Sequence, residues 1–91
     1  MSKLVRIEHT LRRWEKKYGY IGLSLEQERD LFSEVKDKRF TLKFLGKTLL
    51  ERKIDDSWRI YVGSRVMEDL KVDDVLTIYQ DKDGNYYVER K

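Results

Sequence analysis

Along most of the chain, apolar residues recur at every second position. "KLVRIEHTL" sets Val5, Ile7, His9 and Leu11 on one face and Leu4, Arg6, Glu8 and Thr10 on the other. "RFTLKFL" alternates Phe40, Leu42 and Phe44 with Thr41 and Lys43. "VLTIYQ" opposes Leu76 and Ile78 to Val75, Thr77 and Tyr79, and "YYVER" continues the pattern. Such runs, rich in β-branched and aromatic residues and bounded by Gly or Asp, predict half-buried strands. Two segments break the period. "SLEQERDLFSEV" places Leu25, Leu31, Phe32 and Val35 near a helical stripe. Ser24 and Gln27 have the spacing of a capping box, which predicts a helix over about 25–34. "SRVMEDL", residues 64–70, predicts a shorter helical turn. "DKDGN", 81–85, predicts a hairpin, and "LGK", 45–47, joins two further strands.

Composition limits what these elements can build. A chain of 91 residues makes one domain with one core. Without cysteine there is no disulfide framework, thiolate nucleophile or cysteine zinc site. The stretch "MSKLVRIEH" has no long apolar region, and no later stretch approaches the roughly 20 apolar residues that span a bilayer, so the expectation is a cytoplasmic protein without a membrane partner. Charged residues are 41% of the chain, proline and alanine are absent, and amides are few, a composition like that of thermophile and archaeal proteins. The net charge of +3 is mild for a dedicated nucleic-acid binder, but it is uneven. Residues 1–20 hold six cations and two anions, whereas 61–91 hold five cations and seven anions.

The chain also reads as a repeat. Thr10-Leu11 matches Thr48-Leu49, Ile21 and Leu23 match Ile60 and Val62, Asp30-Leu31 matches Asp69-Leu70, and Phe40-Thr41-Leu42 matches Leu76-Thr77-Ile78. Each unit, about 10–44 and 48–80, reads strand, strand, helical turn, strand. One unit alone leaves sheet edges open, and two can close on each other. The expected fold is mainly β with one or two short helices: a closed, pseudo-twofold β-barrel of six or more strands, with 3–9 and 85–90 pairing as closing strands. Tyr20 and Trp58 then occupy nearly equivalent places.

"RIYVGSRVMEDLKVDDVLTI", residues 59–78, resembles the AbrB-type swapped-hairpin transcription factors. Arg59, Ile60, Val62, Val66, Leu70, Val72, Asp74 and Ile78 fit their pattern. Gly63 stands where a proline is usual, and Asp73 where a glycine is typical. Two units in one chain look more like the wider cradle-loop barrel group, in particular its RIFT-type single-chain barrels. The resemblance implies a RIFT-like cradle-loop barrel, a monomer because both halves lie in one chain, and DNA binding through basic residues on one face. Arg59 alone is carried over from the family pattern. The archaeal CTP-dependent riboflavin kinases use a similar barrel, but their phosphate-cradling glycines have no match here.

Charge and symmetry supply the other candidates. "RRWEKKYGYIGLS", 12–24, interleaves cations with aromatics, and "ERKIDDSWRIYVGS" is its counterpart. The candidate nucleic-acid-binding residues are Arg12, Arg13, Trp14, Lys16, Lys17, Tyr18, Arg52, Lys53 and Arg59, with Trp14 and Tyr18 stacking on bases and the cations meeting phosphates. The same residues fit the rim of a barrel with an ion-paired surface. His9 has no second His or Cys with which to hold zinc, and as a lone strand histidine it reads as a surface or satisfied strand residue rather than a ligand or base. "DKDGN" fails the calcium-loop register, and no P-loop or dinucleotide fingerprint is present. The expectation is a non-enzymatic protein, without cofactor or metal, that binds DNA or RNA. The alternatives are a protein-interaction or assembly module, using an edge at 3–9 or 85–90 or exposed tyrosines such as Tyr86 or Tyr87, and a nucleotide or flavin cradle.

Overall fold

The computed structural model describes residues 6–91. The alternating runs are strands, as their period requires. They are β1 (Arg6–Thr10), β3 (Phe40–Phe44), β4 (Thr48–Arg52), β6 (Val75–Gln80) and β7 (Tyr86–Arg90), in one five-stranded sheet ordered β1-β6-β7-β3-β4. Two short strands, β2 (Tyr20–Gly22) and β5 (Arg59–Tyr61), form a separate antiparallel pair. The protein is thus mainly β with two short helices. Leu4 and Val5, assigned above to opposite faces, lie outside the described residues, as does the start of the 3–9 run.

β1 keeps its predicted alternation: Ile7 and His9 point inward, and Arg6, Glu8 and Thr10 outward. Ile7 faces Ile78, and His9 faces Leu76, on β6. The expected pairing of the first strand with 85–90 is corrected. β7 pairs antiparallel with β6 and parallel with β3, setting Leu42 against Tyr86 and Phe44 against Val88. Two bulky side chains explain that position. Tyr86 is fully buried, stacked on Phe32 with centroids 4.4 Å apart, and its hydroxyl donates to the Leu31 carbonyl at 2.8 Å. Tyr86 is therefore core, not the exposed docking tyrosine considered above. Tyr87 spends its hydroxyl on Asp81 at 2.8 Å, within the 81–85 turn that joins β6 to β7.

The largest departure lies at 12–18. In a unit expected to run from strand to strand here, these residues instead form helix α1 (Arg13–Tyr18). The residue α1 buries is Glu15, a carboxylate, so no apolar stripe announced the helix. Gly19 ends α1 at φ +75°, donating to the Glu15 carbonyl at 2.8 Å. A Cβ there would lie 2.2 Å from the Ser64 nitrogen, so the turn and the close approach both require glycine.

The second helix falls close to its predicted span: α2 (Glu26–Leu31) followed by a 3-10 turn over Ser33–Val35. The capping pair sits one residue beyond the expected Ser24–Gln27. The Leu25 backbone donates to the Glu28 carboxylate at 2.9 Å. A 3-10 turn at Arg65–Met67 occupies the predicted 64–70 segment. Of the two departures from the AbrB-like pattern, the one at Gly63 has a backbone cause. Gly63 has φ +100° and donates its N–H to the Gly19 carbonyl at 2.9 Å, neither of which proline can do. Asp73 holds φ +76° at the position where glycine is typical.

We expect Gly19→Ala to lower stability by about 3 kcal/mol or more, because left-handed strain and backbone overlap add. Asp73→Gly relieves strain at an exposed site and is expected to raise stability by about 0.5–1 kcal/mol. Urea unfolding of both variants checks the pair, and opposite signs are the expected result.

Candidate nucleic-acid interface

His9 organises the region. Its Nε2 lies 2.8 Å from Glu15 and its Nδ1 2.5 Å from Glu28, and all three side chains are buried. Each carboxylate also serves a helix start. Glu15 accepts from the Arg12 N–H at 2.8 Å and the Gly22 N–H at 2.7 Å, and Glu28 accepts from the Leu25 N–H. One imidazole thus ties β1 to the beginnings of α1 and α2 and, through Gly22, to β2. Burial alone lowers a histidine pKa, but hydrogen bonds and charge from the two carboxylates outweigh it and raise His9 to about 9. Burial alone raises the Glu15 pKa, but the bond to His9, the N–H groups of Gly22 and Arg12, and the imidazolium charge hold it below the ordinary value. His9 is therefore charged at pH 7, adding one to the formal +3.

With α1 fixed in this way, Arg12 and Trp14 line a cleft of about 180 Å³, and Arg29 from α2 and Arg59 from β5 line it too. The guanidinium groups are held without carboxylates. Arg12 donates to the Ser24 hydroxyl at 3.4 Å and Arg29 to the Leu23 carbonyl at 2.8 Å. Arg59 donates to the Tyr61 hydroxyl at 3.3 Å and lies over the Tyr20 ring, 4.9 Å from its centroid. Arg52 reaches the same strand, donating to the Tyr61 carbonyl at 2.7 Å. Among the described residues, ion pairs engage Lys36, Arg39, Lys47, Arg90 and Lys91, and none engages Arg12, Arg29, Arg52 or Arg59. Trp14 is 52% exposed, Tyr18 60% and Tyr61 45%.

The structure brings Arg12, Trp14 and Arg59 around one cleft, whereas Arg52 is tied to β5 at Tyr61, outside the cleft's lining. Arg13, Lys17 and Tyr18 are exposed on α1, with the Lys17 ammonium 5.3 Å from the Tyr18 ring centroid. Lys53 is exposed just beyond β4. Lys16 departs from the group: its ammonium turns toward the Met67 carbonyl at 3.4 Å. Tyr20 is buried in the β2–β5 pair against Tyr61, with centroids 5.3 Å apart. Trp58 is half-buried between Arg29 and Lys36. Sequence reasoning missed Arg29, Tyr61 and the carboxylate pair around His9. The available signal was a Glu three residues after each helix start, Arg12 to Glu15 and Leu25 to Glu28.

A larger cavity of about 640 Å³ lies between Leu45, Lys47, Asp69 and Arg90. Its charges are mixed and partly spent on one another. Lys47 pairs with Asp69 at 3.9 Å, and Arg90 donates to the Asp69 carbonyl. It shows neither aromatic faces nor surplus charge. Among the described residues no group of three His, Asp or Glu side chains is placed to hold a metal ion, and no helix is long and apolar enough to cross a membrane. No protein-family model matches the chain, and no curated protein matches its sequence.

Folding raises the His9 pKa, so its contribution to stability is complete below pH 6.5 and is lost as pH climbs through about 9. The lowered Glu15 pKa acts on the other side: its contribution is present above the ordinary carboxylate value and is lost in acid. We expect the thermal midpoint to be highest between about pH 5 and 7 and to decline toward about pH 10, with the alkaline decline shallower in His9→Gln. Calorimetry across that range checks it. Parallel alkaline slopes in the two proteins would count against a charged His9.

Proposed function

We propose that this protein is a small, non-enzymatic nucleic-acid-binding barrel that meets DNA or RNA through the Arg12–Trp14–Arg29–Arg59 cleft and the surface around it. The observation that carries this is the meeting of three guanidinium groups without carboxylate partners around a cleft that the exposed Trp14 ring also lines. Unpaired guanidinium groups suit phosphates bidentately, and exposed rings offer stacking surfaces. A binding role without catalysis is favoured because the one imidazole is closed between two carboxylates that also hold backbone N–H groups.

The finer fold proposed with it is a pseudo-twofold barrel of the cradle-loop, RIFT-like kind, folded as a monomer. The ladders support this pairing of halves. Leu42 faces Leu50 in β3–β4, and Ile78 faces Ile7 in β6–β1, so Leu50 corresponds to Ile7 and Ile54 to Leu11. That register replaces the Thr10-Leu11 and Thr48-Leu49 match, and it makes α1 an insertion in the first half. The two isoleucines of the β2–β5 pair, Ile21 and Ile60, face each other where a dyad would pass. Around them, Leu23 donates to the Trp58 carbonyl and Val62 to the Gly19 carbonyl, both at 2.8 Å. Trp58, at φ +59°, is then the counterpart of Gly19, and Arg59 that of Tyr20.

Fluorescence anisotropy with labelled DNA and RNA at about 50 mM salt tests the function. Binding should weaken steeply as salt rises, and Arg12→Glu and Arg59→Glu should each lower affinity by about tenfold or more. Absence of binding to every nucleic acid at that salt would overturn it.

A further inference from the structure

We infer that the ligand of this face is a single strand rather than a duplex, with one backbone phosphate in the arginine cleft and bases stacked on Trp14 and Tyr18. This rests on the nucleic-acid function proposed above and narrows it. Trp14 and Tyr18 are four residues apart on α1, which places them one turn apart on one helix face. Both are more than half exposed, at 52% and 60%. An aromatic ring binds a base through its flat face, and a duplex hides those faces in its own stack.

The dimensions agree. The cleft holds about 180 Å³, below the roughly 300 Å³ at which pockets begin to enclose a whole small ligand, so it suits one compact group. Its lining includes Arg12, Arg29, Arg59 and the hydroxyl residues Ser24 and Ser57. Its carboxylate, Glu15, is engaged by His9 and two backbone N–H groups. Arg29 is anchored through Nε on the Leu23 carbonyl, which leaves the terminal nitrogens of its fork for an anionic oxygen. Trp14 lines the same cleft, so a phosphate there sits beside a stacking surface. Duplex readout needs an element that enters the major groove. α1 has six residues, about 9 Å of axis, and offers a single fork, Arg13, for base edges beside its two exposed rings.

The test compares oligothymidylate and oligouridylate of about 12 nucleotides with a duplex of the same length, at about 50 mM salt. Anisotropy of labelled strands on the wild-type chain should give at least about tenfold tighter binding to one or both single strands than to duplex. The two single strands separate DNA from RNA as the source. In a Trp58→Phe background, emission from Trp14 should be quenched on binding. Trp14→Ala should cost about tenfold in single-strand affinity and Trp14→Phe should recover most of it, with thermal midpoints unchanged. If Trp58→Phe does not fold, wild-type anisotropy and the Trp14 variants decide. Equal or tighter duplex binding, or single-strand binding indifferent to Trp14→Ala, would overturn the inference and leave the nucleic-acid function standing. Failure of all three probes to bind would remove both.

Discussion

The structure depends on a buried charge and its two partners. An imidazole on β1 is held between carboxylates from α1 and α2, and each carboxylate also caps the backbone of its own helix. Neither helix exceeds six residues, so neither is stable by propensity alone. The clamp supplies what length does not. It also fixes the bearing of α1, and with it the directions of Arg12, Trp14 and Tyr18. A buried charge removed from its partners is costly, whereas the intact triad leaves no buried polar side-chain atom unpaired among the described residues. The surface chemistry is thus set from inside.

Most strands were legible because their faces differ. Ile7, Leu42, Phe44, Leu76, Ile78 and Val88 are buried, and each alternates with a more exposed neighbour, so a period of two marks them. The pairing of those strands was less legible. Nothing local in "YYVER" says that it lies between β6 and β3, because parallel pairing is set by distant partners. α1 was illegible for a different reason. Its inward residue is Glu15, which patterning assigns to the surface, and its rings face solvent, where patterning expects charge.

The candidate surface was half legible. Interleaved cations and rings drew attention to 12–18 and 52–59, and three of those residues share a cleft. Arg29 could not be found by that route, since it lies within a helix whose other positions look like an ordinary solvated face. Lys16 shows the converse. It sits among the right neighbours in sequence, but helical rotation carries it toward Met67. Charge clustering along a chain becomes clustering in space only after the local period is known.

The place of β7 has a consequence for biosynthesis. The central strand of the five-stranded sheet is made after the four that flank it. Until residue 90 clears the ribosome, β3–β4 and β1–β6 are separate ladders with facing, unsatisfied inner edges. The nascent chain therefore carries two open templates for strand addition, and β7 acts as the wedge that seals both.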